Sequence, residues 1–119
     1  MSKILMRIVG LALITMLATA CGGQLRKSGR LVTILSLDRT PSNGAIVYED
    51  ECSFCHGDTA MGDSAPNLST ATKRMTDGEI VEQILEGGFS MPSIEVTEQQ
   101  AIDVVAWLRA KFPPPTKRQ

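Results

Sequence analysis

An all-α domain is what this sequence predicts, and three observations carry the prediction. Two capping boxes, Thr76-Asp77-Gly78-Glu79 and Thr97-Glu98-Gln99-Gln100, each open an apolar run spaced for one helix face. Breakers stand where such helices should stop, Gly87-Gly88 after the first and Pro113-Pro114-Pro115 after the second. Between Pro41 and Phe112 no alternating polar and apolar stretch marks a strand.

Residues 1–20 read as an export signal, because Lys3 and Arg7 precede an uncharged, largely apolar run of 13 residues from Ile8 to Ala20. A bilayer core takes about 20 such residues, so the run is too short to span it. It ends Leu17-Ala18-Thr19-Ala20-Cys21-Gly22, which resembles the lipobox of bacterial lipoproteins and implies acylation of Cys21 as the first mature residue. A plain signal peptide or an uncleaved anchor is the alternative. Residues 21–40 carry four basic groups against Asp38 and no cap or repeat, which predicts a lipid-anchored flexible tether, the alternative including a short strand or one helical turn packed on the domain.

The domain proper is expected over 41–112. Pro41-Ser42-Asn43 is a helix-start signal for a segment running to Glu51, with Gly44 and Tyr48 four apart on one face. Gly57 to Thr72 is rich in Gly, Pro, Asn and Ser and is expected to be loop. The first capping box opens a helix through Ile80, Val81, Ile84 and Leu85, and the second a helix through Ala101, Val104, Val105 and Leu108. Residues 113–119 are a Pro-rich basic tail. With 119 residues in all, there is room for one small domain and none for a large multi-domain enzyme. Over 41–112 four basic side chains face twelve acidic ones, which disfavours nucleic acid as a partner. Only 4% of the chain is aromatic, so its own side chains make a marginal core and something else is expected to fill the centre.

Cys52-Ser53-Phe54-Cys55-His56 is the C-x-x-C-H pattern of c-type haem attachment. Two thiols three residues apart lie on one side of a helical turn and can each add to a porphyrin vinyl group, while the adjoining imidazole reaches the iron. Shuffling three Cys and one His over the chain produces the pattern about four times in ten thousand. The competing readings are weaker on chemistry. A redox dithiol lacks its usual βαβ setting, and a zinc site lacks ligands, since Cys21 is the only other Cys and His56 the only His.

With these residues in view, 41–112 resembles a small class I c-type cytochrome domain. The resemblance implies three to four short helices wrapped around one covalently attached haem c. Gly44 and Tyr48 stand where that family packs its first helix across its last, with Val104 and Trp107 as their partners there. Ala65-Pro66-Asn67-Leu68 resembles the family loop whose Pro carbonyl accepts a hydrogen bond from the proximal imidazole, which makes Pro66 a support for His56.

The second axial ligand cannot be another His, and Met is the remaining soft donor. Met1, Met6 and Met16 leave with the signal, Met61 follows His56 too closely, and Met75 reads as a core or surface residue. Met91, in Gly87-Gly88-Phe89-Ser90-Met91-Pro92, resembles the family's distal Met-Pro loop. The alternative is simple packing at Met91 and an open iron.

The expected function follows from the ligand set. Haem held by Cys52, Cys55, His56 and Met91 leaves no position for a small-molecule substrate, so an electron-transfer protein is expected and no catalytic residue is assigned. Its partners are redox proteins, with Glu49, Asp50, Glu51, Asp58 and Asp63 around the motif suited to a basic docking patch. The location implied is the periplasmic side of a bacterial membrane. The rival readings are a haem subunit of a larger dehydrogenase or oxidase, a ligand-binding sensor with a labile Met91, and a haem-free thiol lipoprotein.

Overall fold

The structure, a computed structural model, describes residues 27–113. The signal segment, Cys21 and the tail from Pro114 lie outside the described residues. Two compact units divide between Thr33 and Ile34. In the first, residues 27–33 are helical and begin helix α1, which runs over 27–35. In the second lie the end of α1 and five further helices: α2 Pro41–Glu51, α3 Ser53–His56, α4 Leu68–Arg74, α5 Asp77–Glu86 and α6 Glu98–Lys111. Among the described residues there is no strand, only one isolated antiparallel bridge between Gly88 and Met91. The fold is all-α.

Two segments depart from the expectation. Residues 21–40 read as a flexible tether, yet residues 27–35 are helical and Ile34 is buried. Residues 34–40 belong to the second unit, within which Gln99 donates to the Asp38 carbonyl at 2.7 Å and Thr40 N donates to Asp103 Oδ1 at 2.8 Å. The expected loop 57–72 contains the start of α4, because the Asn67 side chain accepts from Ser69 N at 2.8 Å and caps a helix there. Together with the single turn α3, this raises the helix number above the three to four expected.

Both capping boxes close as the sequence indicates, Thr76 with Glu79 and Thr97 with Gln100. Gly87, at φ +72°, ends α5, and a Cβ there would lie 2.7 Å from Ser93 N. Helices α2 and α6 cross so closely that a Cβ on Gly44 would lie 1.9 Å from the Asp103 carbonyl oxygen. Beside that crossing Tyr48 and Trp107 stack with centroids 4.3 Å apart.

Asp103, 2% exposed, fixes the same crossing. Thr40 leaves α2 without a side-chain cap, and Asp103 takes over from the neighbouring helix, accepting from Thr40 N, from Asn43 Nδ2 at 2.7 Å and from Gln99 Nε2 at 3.0 Å. A carboxylate at a helix N-terminus also suits the helix dipole. Further along α6, Arg109 reaches three groups: Asp77 Oδ1 at 2.8 Å, the Met75 carbonyl at 2.7 Å and the Thr72 carbonyl. Arg39 pairs with the second oxygen of Asp77. Burial alone would raise the Asp77 carboxyl, but the hydrogen bonds and charges of Arg39 and Arg109 outweigh it and hold it below the ordinary carboxylate value.

Candidate functional site

Cys52 ends α2 and opens α3 at once. Its backbone departs from helical dihedrals, its N–H donates to the Tyr48 carbonyl, and its own carbonyl accepts from Cys55 N at 3.2 Å and His56 N at 3.0 Å. One turn therefore brings Cys52, Cys55 and His56 to the same side. Cys52 is half-buried and Cys55 exposed. Burial, with Glu51 and Cys55 adding, pushes the Cys52 thiol up to about 11.

His56 is buried, and its Nδ1 lies 2.8 Å from the Pro66 carbonyl oxygen. A carbonyl can only accept, so the ring proton belongs on Nδ1 and the Nε2 lone pair is left for a metal. The loop that carries Pro66 is tied back to the same turn. Gly62 N donates to the His56 carbonyl and Ala65 N to the Cys55 carbonyl, each at 2.9 Å. The Tyr48 hydroxyl donates to the Gly57 carbonyl at 2.6 Å, joining the helix crossing to the residue after His56. Burial first, then Cys52 and Asp58, push that phenol up to about 12, so it remains a donor across the working pH range.

Two cavities meet these groups. The larger, about 430 Å³, is lined by Cys52, Cys55, His56, Pro66, Met91 and Glu51 among others. That volume is in the range of cofactor clefts, about 300–1,000 Å³. A smaller one, about 60 Å³, has walls of Tyr48, Leu68, Ile84, Val104 and Leu108, and also touches Cys52, His56, Met75 and Met91. Met91 thus lines both cavities, Met75 lines the smaller alone, and Met61 is exposed and lines neither. The Met91 loop is a tight turn closed by Gly88 N to Met91 O and Met91 N to Gly88 O, both 2.9 Å, and anchored by Ile94 N on the Ile84 carbonyl.

Two thiols, an imidazole whose Nε2 is left for a metal and a thioether line one largely apolar cleft, a donor set that suits covalently held haem. The sequence-expected residues Cys52, Cys55, His56, Pro66 and Met91 all line that cleft. Sequence reasoning did not find the Tyr48 hydroxyl bond, the buried Asp103 or the Arg109 anchor. No local signal marks them, since each depends on a partner at a distance in the chain.

Comparison with known proteins points the same way. A family model described as "Cytochrome C oxidase, cbb3-type, subunit III" matches residues 39–108. Cytochrome c-551 of Bacillus subtilis is 32% identical over 92% of this chain and 97% of its own length. A cytochrome c-553-like protein of Synechocystis sp. is 25% identical over 84% of the chain and 96% of its own. Cytochrome c-550 of Bacillus subtilis is 32% identical over 52% of each. Site geometry and relatives agree, and the chain belongs to the cytochrome c family as a small c-type cytochrome with one covalently bound haem c.

Proposed function

We propose that this protein carries single electrons between redox proteins on the exported side of a bacterial membrane, tethered there by lipid on Cys21. The observation that supports it is the meeting of Cys52, Cys55, His56 and Met91 at one cleft. Bound haem supplies a one-electron couple. Cys52 and Cys55 would hold it covalently, His56, oriented by Pro66, would offer its Nε2 to the iron, and Met91 would offer its sulfur. With His56 and Met91 both offered to the iron, the chain itself would leave no place there for a substrate, which favours a carrier over an enzyme. Met is a soft ligand that favours the reduced iron, and apolar walls disfavour the added charge of the oxidised state; both raise the potential.

Among the described residues no helix is long and apolar enough to cross a membrane. The membrane attachment proposed therefore rests on Cys21 and the export signal, as read from the sequence. A second reading has one observation in its favour: the matching family model is described as an oxidase subunit. In that reading the chain is a resident haem subunit, with unchanged chemistry and a permanent partner. Co-purification of a stoichiometric oxidase with the tagged chain supports the resident subunit, and its absence supports the carrier.

The test of the site compares Met91→Ala with Met75→Ala in the haem-loaded protein. Met91→Ala should lower the potential and let carbon monoxide bind the reduced iron, while Met75→Ala should do neither. The reverse pattern would move the distal ligand to Met75, and no change in Met91→Ala would reject Met91.

A further inference from the structure

We propose that the Tyr48 hydroxyl is a positioning group for His56: by bonding the Gly57 carbonyl, it ties the loop that aims the imidazole to the crossing of α2 and α6. The proposal rests on the reading of His56 as the proximal ligand. Tyr48 meets the attachment turn at both ends. Its backbone carbonyl accepts from Cys52 N at 2.9 Å, where the turn begins, and its hydroxyl donates to the Gly57 carbonyl at 2.6 Å, where the turn stops.

Gly57 joins that turn to the loop carrying Pro66. Its backbone lies at φ +79° and ψ 154°, a conformation essentially confined to glycine. The chain then runs through Gly62 and Ala65, whose N–H groups return to the His56 and Cys55 carbonyls, and on to Pro66, whose carbonyl oxygen lies 2.8 Å from His56 Nδ1. Among the described residues, the other hydrogen bonds of 57–67 stay within 53–69. The loop is therefore closed on its own turn, and the Tyr48 hydroxyl is what bonds it to the helical frame.

That frame is rigid at Tyr48. The residue is 2% exposed, its ring stacks on Trp107, and Gly44 of the same helix lies against the Asp103 backbone. A Phe ring would supply the same packing, so the hydroxyl is what Tyr adds here. Satisfying the Gly57 carbonyl is not its purpose, because that oxygen already accepts from Ala60 N at 2.9 Å. What the bond adds is a fixed place for the loop, and through Pro66 a fixed direction for the imidazole. An imidazole that donates firmly through Nδ1–H is the stronger donor at Nε2, and stronger donation favours oxidised iron. Loss of the hydroxyl should weaken that donation and raise the potential.

The test compares the haem-loaded wild type with Tyr48→Phe, which keeps the ring, and with Asp103→Ala, which weakens the same crossing without touching the loop. Solvent exchange of the His56 Nδ1–H is followed by heteronuclear NMR of the reduced protein, and the midpoint potential by redox titration. Tyr48→Phe should speed the exchange about fivefold, the factor for one lost hydrogen bond, and should raise the potential. Asp103→Ala should lower the melting temperature and leave both readouts at their wild-type values. In the wild type the Tyr48 hydroxyl proton should be visible and slow to exchange. A change in exchange below about twofold in Tyr48→Phe overturns the proposal, as does a potential that falls or stays unchanged. Asp103→Ala moving both readouts as far as Tyr48→Phe also overturns it, because the stability of the crossing would then govern them. A Tyr48 hydroxyl proton lost to rapid exchange in the wild type overturns it without any variant. His56 ring resonances without a paramagnetic shift in the oxidised wild type would refute the ligand reading itself, and the proposal with it.

Discussion

Replacing Gly44 by Ala tests the helix crossing that supports the site. On an isolated helix the change would stabilise by about 1 kcal/mol, since Ala is the better helix former. In this fold the new methyl would lie 1.9 Å from the Asp103 carbonyl oxygen, 2.4 Å from its carbonyl carbon and 2.9 Å from Val104 N, all backbone atoms that cannot swing aside. Ordinary contact begins near 3.4 Å, so α2 and α6 must part by roughly 1.5 Å. Overpacking of this kind costs about 1–3 kcal/mol. Separation also strains the Tyr48–Trp107 stack, worth about 0.5–1.5 kcal/mol, and the Asp103 hydrogen bonds across the same crossing. The net expectation is a loss of about 2–4 kcal/mol, which for a domain of this size lowers the melting temperature by roughly 10–25 °C. Circular dichroism of the haem-loaded protein through a thermal scan measures it. An unchanged or raised melting temperature would refute the reasoning, because it would mean that propensity and not close approach governs position 44.

Asp103→Ala should cost about 2–3 kcal/mol in a denaturant titration, as a buried carboxylate accepting three hydrogen bonds is lost, and Asp103→Asn should recover much of it. The Asp77 carboxyl is held below its unfolded value, so its contribution is complete above that value, near pH 3.8, and is lost as pH falls through the lower folded one. The stability gap between wild type and Asp77→Asn should therefore be constant near neutrality, at most about 1 kcal/mol for this partly exposed pair, and shrink in acid; a gap that widens in acid would contradict it. Cys52→Ala with Cys55→Ala should leave the domain without covalent haem and largely unfolded, and a cooperative melt of that chain would show that the side chains alone suffice as a core.

What the sequence made legible was whatever acts over a few residues. Both capping boxes, the Gly87 stop and the Cys52-to-His56 turn have their physics within one helical turn. Helix α1 was harder to read because Leu31, Val32, Ile34, Leu35 and Leu37 form a nearly continuous apolar run in which the helical period is blurred. Helix α4 was masked by surrounding Gly, Pro and Ser, although Asn67 before Leu68 was a usable cap signal. Asp103 looked like any of twelve acids, since only a helix some sixty residues away makes it buried and bonded. Arg109 likewise gains its role from carbonyls more than thirty residues distant.

Electron transfer by this chain depends most directly on covalent haem at α3. The measurement is the mass of the mature protein purified from its own cells, followed by the mass of the protease fragment containing Cys52 and Cys55. One haem added to the chain, and recovered on that fragment with both thiols consumed, is the expected result. A mature chain of bare polypeptide mass, with Cys52 and Cys55 still open to alkylation, would contradict it.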